Sequence, residues 1–100
     1  MTYLFASLLP IEARQAAVNA EYSGRRTLDI GCCPVGIALR LIEPNASAVP
    51  SAVEATAFIT NRFGGEWKAV RHSTHIFMKG WDAGRIDKHK LADIFGVDPS

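Results

Sequence analysis

The stretch Trp67-Lys68-Ala69-Val70-Arg71-His72-Ser73-Thr74-His75-Ile76-Phe77-Met78-Lys79-Gly80-Trp81-Asp82 decides the fold. From Trp67, the residues Val70, Thr74, Phe77 and Trp81 follow at steps of three and four, with Met78 beside them. That repeat lines up one side of an α-helix. Lys68, Arg71, His72, His75 and Lys79 fall in an adjacent sector about 100° wide at 100° per residue. Read as a strand, residues 74–81 would set Thr, Ile, Met and Gly against His, Phe, Lys and Trp. Neither side would be cleanly apolar, so the spacing predicts a helix, with Gly84 as its stop.

Downstream, Asp87 is placed to cap a short helix, KHKLADIF, that ends at Gly96 and carries Leu91 and Phe95 four apart on its inner side. Upstream, Ser51 and Glu54 form a capping-box pattern ahead of AVEATAFITNRF, which presents Phe58, Ile59 and Phe63 and stops at Gly64-Gly65. Pro34 suits the first turn of PVGIALRLIE, because its missing N–H has no partner there. It also pushes Cys33 out of the helical region, to the flanking position. This helix is apolar on nearly every side, wetted only by Arg40 and Glu43, and belongs inside the molecule. Gly36 within it costs about 1 kcal/mol of helix propensity, tolerable where a neighbouring element must come close. Pro10 opens the first expected helix, IEARQAAVNAEY, with Ile11, Val18 and Tyr22 along one side and Gly24 as its left-handed stop. Five helices and no strand predict a single all-α domain over residues 1–100, an orthogonal bundle around the apolar helix at 34–43.

Composition agrees with one compact domain: 48% of residues are apolar and 21% charged, and at this length a second core would be too small to hold together. The formal net charge is +1 and is spread evenly. There is no polybasic tail to grip nucleic acid and no acidic tail to mimic it. No apolar run reaches the 18–20 residues of a membrane span, and the opening MTYLFASLLP lacks the basic start of a secretory signal. Cys32 and Cys33 are adjacent, so they cannot close a relaxed disulfide with each other, and two cysteines make no disulfide scaffold. A reducing, cytoplasmic setting is expected.

Three chemistries compete for the polar residues. A thiol at a helix start has its pKa lowered by the helix amides, and His72 or His75 would serve as its base. His72-x-x-His75 puts two imidazoles on one helical side, which with two thiols would satisfy zinc, although adjacent cysteines rarely both reach one ion. The basic sector of Lys68, Arg71, His72, His75 and Lys79 would attract phosphates or an acidic protein face, and the same pattern also suits a merely solvated helix side. Trp67 and Trp81 are core anchors, or interface anchors where one lies at the rim. No phosphate loop, dinucleotide fingerprint, nucleophile elbow or metalloprotease motif is present.

The Cys32-Cys33-Pro34 helix start is similar to the Cys-Gly-Pro start of the central helix in papain-like bacteriocin-processing peptidases, and His75-Ile-Phe-Met-Lys-Gly-Trp-Asp is similar to their histidine-bearing strand. Cys33 stands where that family has glycine, and the strands of that fold are not expected here. Three fragments, Cys33-Pro34-Val35-Gly36-Ile37-Ala38-Leu39, Phe77-Met78-Lys79-Gly80-Trp81-Asp82-Ala83-Gly84 and Lys90-Leu91-Ala92, together resemble a loose group of small bacterial and phage proteins with a Cys-x-x-Gly-x-x-Leu helix and a Trp-Asp helix end. In size and in lacking catalytic motifs the chain is also similar to small phage-encoded inhibitors such as anti-CRISPR proteins. The resemblance implies an interaction protein that occludes a host surface.

The expectation is therefore a non-enzymatic interaction module with no cofactor, no bound metal, no small-molecule substrate and no membrane contact. Its partner-binding residues would be Trp67, Lys68, Arg71, His72, His75 and Lys79. The partner would be a host protein or protein–nucleic acid complex with an acidic or phosphate-lined surface, blocked sterically. The alternatives are a small DNA- or RNA-binding regulator and a cysteine-dependent hydrolase.

Overall fold

All five expected helices are present, and a sixth, short one precedes them. The computed structural model describes residues 1–23 and 33–99. Among these it contains α1 (Leu4–Ser7), α2 (Ile11–Tyr22), α3 (Pro34–Ile42), α4 (Ala52–Phe63), α5 (Trp67–Asp82) and α6 (Lys88–Phe95), with no strand. The link before α3, with Gly24 and Cys32, lies outside the described residues.

The helix ends are set by the residues whose chemistry demands it. Ser51 Oγ accepts from the Glu54 N–H at 3.1 Å while Glu54 Oε1 accepts from the Ser51 N–H at 2.9 Å, a complete capping box. Asp87 Oδ1 accepts from the Lys90 N–H at 2.8 Å to start α6, and Gly96, at φ +68°, ends it in the left-handed conformation that favours glycine. Cys33 is the N-cap of α3, its Sγ accepting from the Gly36 N–H at 3.3 Å. Gly36 answers to the segment crossing it: an added Cβ would lie 1.9 Å from the Ala48 carbonyl oxygen.

The core is built on α5. Phe77 meets Phe5 from α1 and Phe95 from α6 at ring-centroid distances of 5.4 and 5.6 Å, and Phe5 meets Phe95 edge-on at 5.7 Å. Trp81 stacks on Phe77 at 6.2 Å. Each of the three fully buried phenylalanine rings contributes roughly 1.5–3 kcal/mol of burial, which makes this aromatic knot the main anchor of the fold. It also explains α1. Four residues without a side-chain cap do not make a stable helix alone, but Phe5 is fully buried in the knot. The Phe5 N–H donates to Ser73 Oγ of α5 at 3.1 Å, and the Tyr3 N–H donates to the Ile94 carbonyl at 2.9 Å.

Two expectations shift. The inner side of α2 is made of Ala13, Ala17 and Ala20 with Val18, while Ile11 is 57 % exposed and Tyr22 half-buried. Small residues let α2 and α3 approach closely, and that contact outweighs the burial of one isoleucine at the helix start. In α3, Val35, Ala38 and Leu39 are buried, but Leu41 is 54 % exposed, so part of this apolar helix meets solvent.

Candidate docking face on helix α5

Glu66 fixes where α5 begins, its Oε2 accepting from the Ala69 N–H at 2.8 Å. The core then fixes its rotation. Val70, Thr74, Phe77 and Trp81 are buried, and Thr74 donates its hydroxyl to the Val70 carbonyl at 2.8 Å, so its buried hydroxyl is satisfied. With that side locked inward, the rotation of every other α5 side chain follows.

Lys68, Arg71, His72, His75 and Lys79 all point to solvent. Among the described residues none of them forms an ion pair or a side-chain hydrogen bond; the described salt bridges join the Met1 amino group to Asp93 and Arg62 to Glu43. No ion pair among the described residues compensates the basic sector, and Asp82 falls within it at its C-terminal end.

The two tryptophans part company. Trp81 is 7 % exposed and belongs to the core, whereas Trp67 is 42 % exposed and lies at the rim. Trp67 is the first residue of α5, nearly three turns before Phe77, where the aromatic knot begins. It joins Lys68, Arg71, His72 and His75 in lining an open concavity of about 460 Å³. Five of the six expected binding residues are brought together there, and Lys79 continues the same row one turn beyond. Trp67, Arg71, His75 and Lys79 stand four apart, a single ridge of the helix surface. Ile76, 44 % exposed beside this sector, was not expected; only the rotational position of its helix, among polar residues, signals it.

Cys33 stands apart from this face. It lines a smaller cavity of about 240 Å³ with Val49, Pro50, Phe77, Met78, Trp81 and Asp82. Burial, the dominant effect, pushes its thiol pKa up, Asp82 adds to the rise, and the hydrogen bond from Gly36 only partly opposes it. Neither His72 nor His75 lines this cavity. A nucleophilic Cys33 would need the opposite electrostatics and a base. Cys32, the other thiol considered, lies outside the described residues. The imidazoles of His72 and His75 share the α5 surface with cations, and no group of three or more His, Cys, Asp or Glu suited to a metal occurs among the described residues.

A third cavity, of about 510 Å³, lies between the chain start and α6, where Tyr22 Oη and His89 Nδ1 share a hydrogen bond of 3.2 Å. Sequence spacing gave no sign of it, because the pair is 67 residues apart. No helix among the described residues is long and apolar enough to cross a membrane. Comparison of the chain with family models, with curated proteins and with solved structures gives no match.

Proposed function

We propose that this chain is a non-enzymatic interaction module that docks through α5 on an anionic surface of a protein or protein–nucleic acid complex, in the cytoplasm. The observation that carries the reading is the row of Lys68, Arg71, His72, His75 and Lys79, none in an ion pair among the described residues, beside the exposed indole of Trp67. Cations already held in internal ion pairs would have little field left for a partner. Free ones steer association and set its orientation. Trp and Arg are also the residue types that most often anchor an interface.

The mechanism is steric. α5 is held by the aromatic knot, so little ordering cost attends docking, and whatever surface it covers is closed to other ligands. In its sharpest form the protein is a phage or mobile-element inhibitor of a host nucleic-acid-processing complex. The test is capture of partners from nuclease-treated bacterial lysate by the tagged protein and by the Lys68→Glu/Arg71→Glu/Lys79→Glu variant, whose folding is checked by circular dichroism. A stoichiometric partner held by the original protein and lost by the folded variant is the expected result. Equal capture by both would place the docking face elsewhere.

A further inference from the structure

We infer that the anion α5 docks on is the backbone of a single-stranded nucleic acid, one of whose bases stacks on Trp67. This rests on the docking reading above and specifies its ligand. Three features of the face favour a strand over an acidic protein patch. First, the aromatic ring and the cations share one concavity, lined by Trp67, Lys68, Arg71, His72 and His75. A nucleotide presents a flat π-face and a phosphate joined at short reach, and single-strand sites pair an aromatic platform with a cationic track. Second, the cations are arranged in line. Trp67, Arg71, His75 and Lys79 recur every four residues, so the ridge rises about 6 Å per step and about 18 Å in all. A linear polyanion can follow such a row, with Lys68 and His72 flanking it. Third, the one carboxylate at the start of the helix, Glu66, is already engaged with the Ala69 N–H. It keeps phosphate away from the helix N-terminus and leaves the anion to Arg71 and His75, about one and two turns further on.

A single helix face reads no base edges, so recognition is tolerant of sequence. The phosphates supply affinity and the indole supplies the preference for unpaired nucleotides, since a paired base offers no free face.

The experiment uses the full chain and two probes: a fluorescein-labelled oligothymidylate of about eight nucleotides, within the usual range of single-strand sites, and labelled poly-L-glutamate as an acidic polypeptide. Binding is followed by anisotropy and by tryptophan emission, with Trp81 as the buried internal reference. The oligonucleotide is expected to quench Trp67 and to bind more tightly than polyglutamate. Its affinity should fall with salt at a logarithmic slope of about −0.7 per phosphate contacted. Trp67→Phe keeps a stacking face and should retain most of the affinity. Trp67→Leu keeps apolar bulk without a π-face and should lose about tenfold, within the range of one base–aromatic stack.

Oligonucleotide binding without quenching, and with equal affinity in the Phe and Leu variants, would overturn the stacking role and leave the cationic docking face standing. Polyglutamate binding at least as tightly would overturn nucleic acid as the ligand and return the face to an acidic protein. Absence of binding to either probe overturns this inference, while the lysate capture by charge-reversed and original protein decides the docking reading separately.

Discussion

Trp81 and Trp67 lie on one helix and meet opposite fates. Trp81 is stacked on Phe77 with 7 % of its surface exposed, and its Nε1 is buried without a hydrogen-bond partner among the described residues. Trp67 keeps 42 % of its surface open beside Lys68, Arg71, His72 and His75. The difference lies in what the rest of the chain brings to each position. Around Trp81 and Phe77, α1 and α6 deliver Phe5 and Phe95, and the burial is strong enough to tolerate an unpaired indole N–H. Trp67 is not part of the buried core, and its neighbours on the ridge are Arg71, His75 and Lys79. One side of α5 therefore carries the stability of the fold, and the other meets solvent.

The sharpest way to break this contrast is a pair of neighbouring truncations. Phe77→Ala should cost about 3–5 kcal/mol, the usual range for a buried ring, and would leave a marginal or unfolded protein. Ile76→Ala, one residue away on the exposed side, should stay within about 0.5 kcal/mol. Urea unfolding of both variants measures the two. Similar costs would show that the two sides of α5 are not energetically distinct.

Gly36→Ala tests the close approach on α3. Helix propensity alone predicts a gain of about 1 kcal/mol for alanine. The added Cβ would meet the Ala48 carbonyl oxygen at 1.9 Å, and that neighbour is backbone, which cannot rotate away as a side chain can. The 44–50 segment would have to shift and strain its bond from the Cys33 N–H to the Ala48 oxygen, at 3.4 Å. A net loss of about 2 kcal/mol is expected, as for other overpacked sites, with a lower thermal midpoint as the readout.

The helix ends and the α5 face could be read from sequence because both are local. Capping at Ser51 and Asp87, the stop at Gly96, and the apolar and basic sectors of α5 follow from spacings of three and four residues along one segment. What could not be read depends on distant partners. α1 exists because Phe5 finds Phe77 and Phe95, and no spacing within MTYLFASLLP announces that. The alanine side of α2 was missed because alanine marks a close helix contact without marking a hydrophobic stripe, so Ile11, Val18 and Tyr22 gave the stronger local signal. The exposure of Trp67 had the same origin: periodicity places it at the edge of the apolar stripe, and only the packing of the other elements decides that 42 % of its surface stays open.

Smaller effects sharpen the picture at the α4 start. Ser51→Ala removes the N-cap and should cost about 1 kcal/mol at neutral pH. The bonds from Ser51 hold the Glu54 carboxyl below the usual carboxylate range. A lowered folded-state pKa favours the native state above the unfolded carboxyl's pKa, and that contribution is lost as pH falls through the folded value. Unfolding curves from neutral to acid pH should therefore show the gap between the original protein and Glu54→Ala narrowing as Glu54 protonates. A gap that widens toward acid would contradict the capping-box assignment.

The smallest expected effect bears most directly on what the outer side of α5 is for. Arg71 lies three residues from Lys68, and like charges at this spacing destabilise a helix by about 0.2–0.5 kcal/mol per pair. None of the basic residues of this sector is relieved by an ion pair among the described residues. Arg71→Gln should thus leave the fold intact and raise its stability by a few tenths of a kcal/mol at low salt. The gain should vanish as salt screens the neighbours. Burial cannot explain a charged row that works against its own helix. If the neutral variant is more stable but loses the partner or the oligonucleotide, the charge is maintained against folding and for binding. If it is less stable, Arg71 supports the fold, and the row would lose its claim to be a surface built for docking.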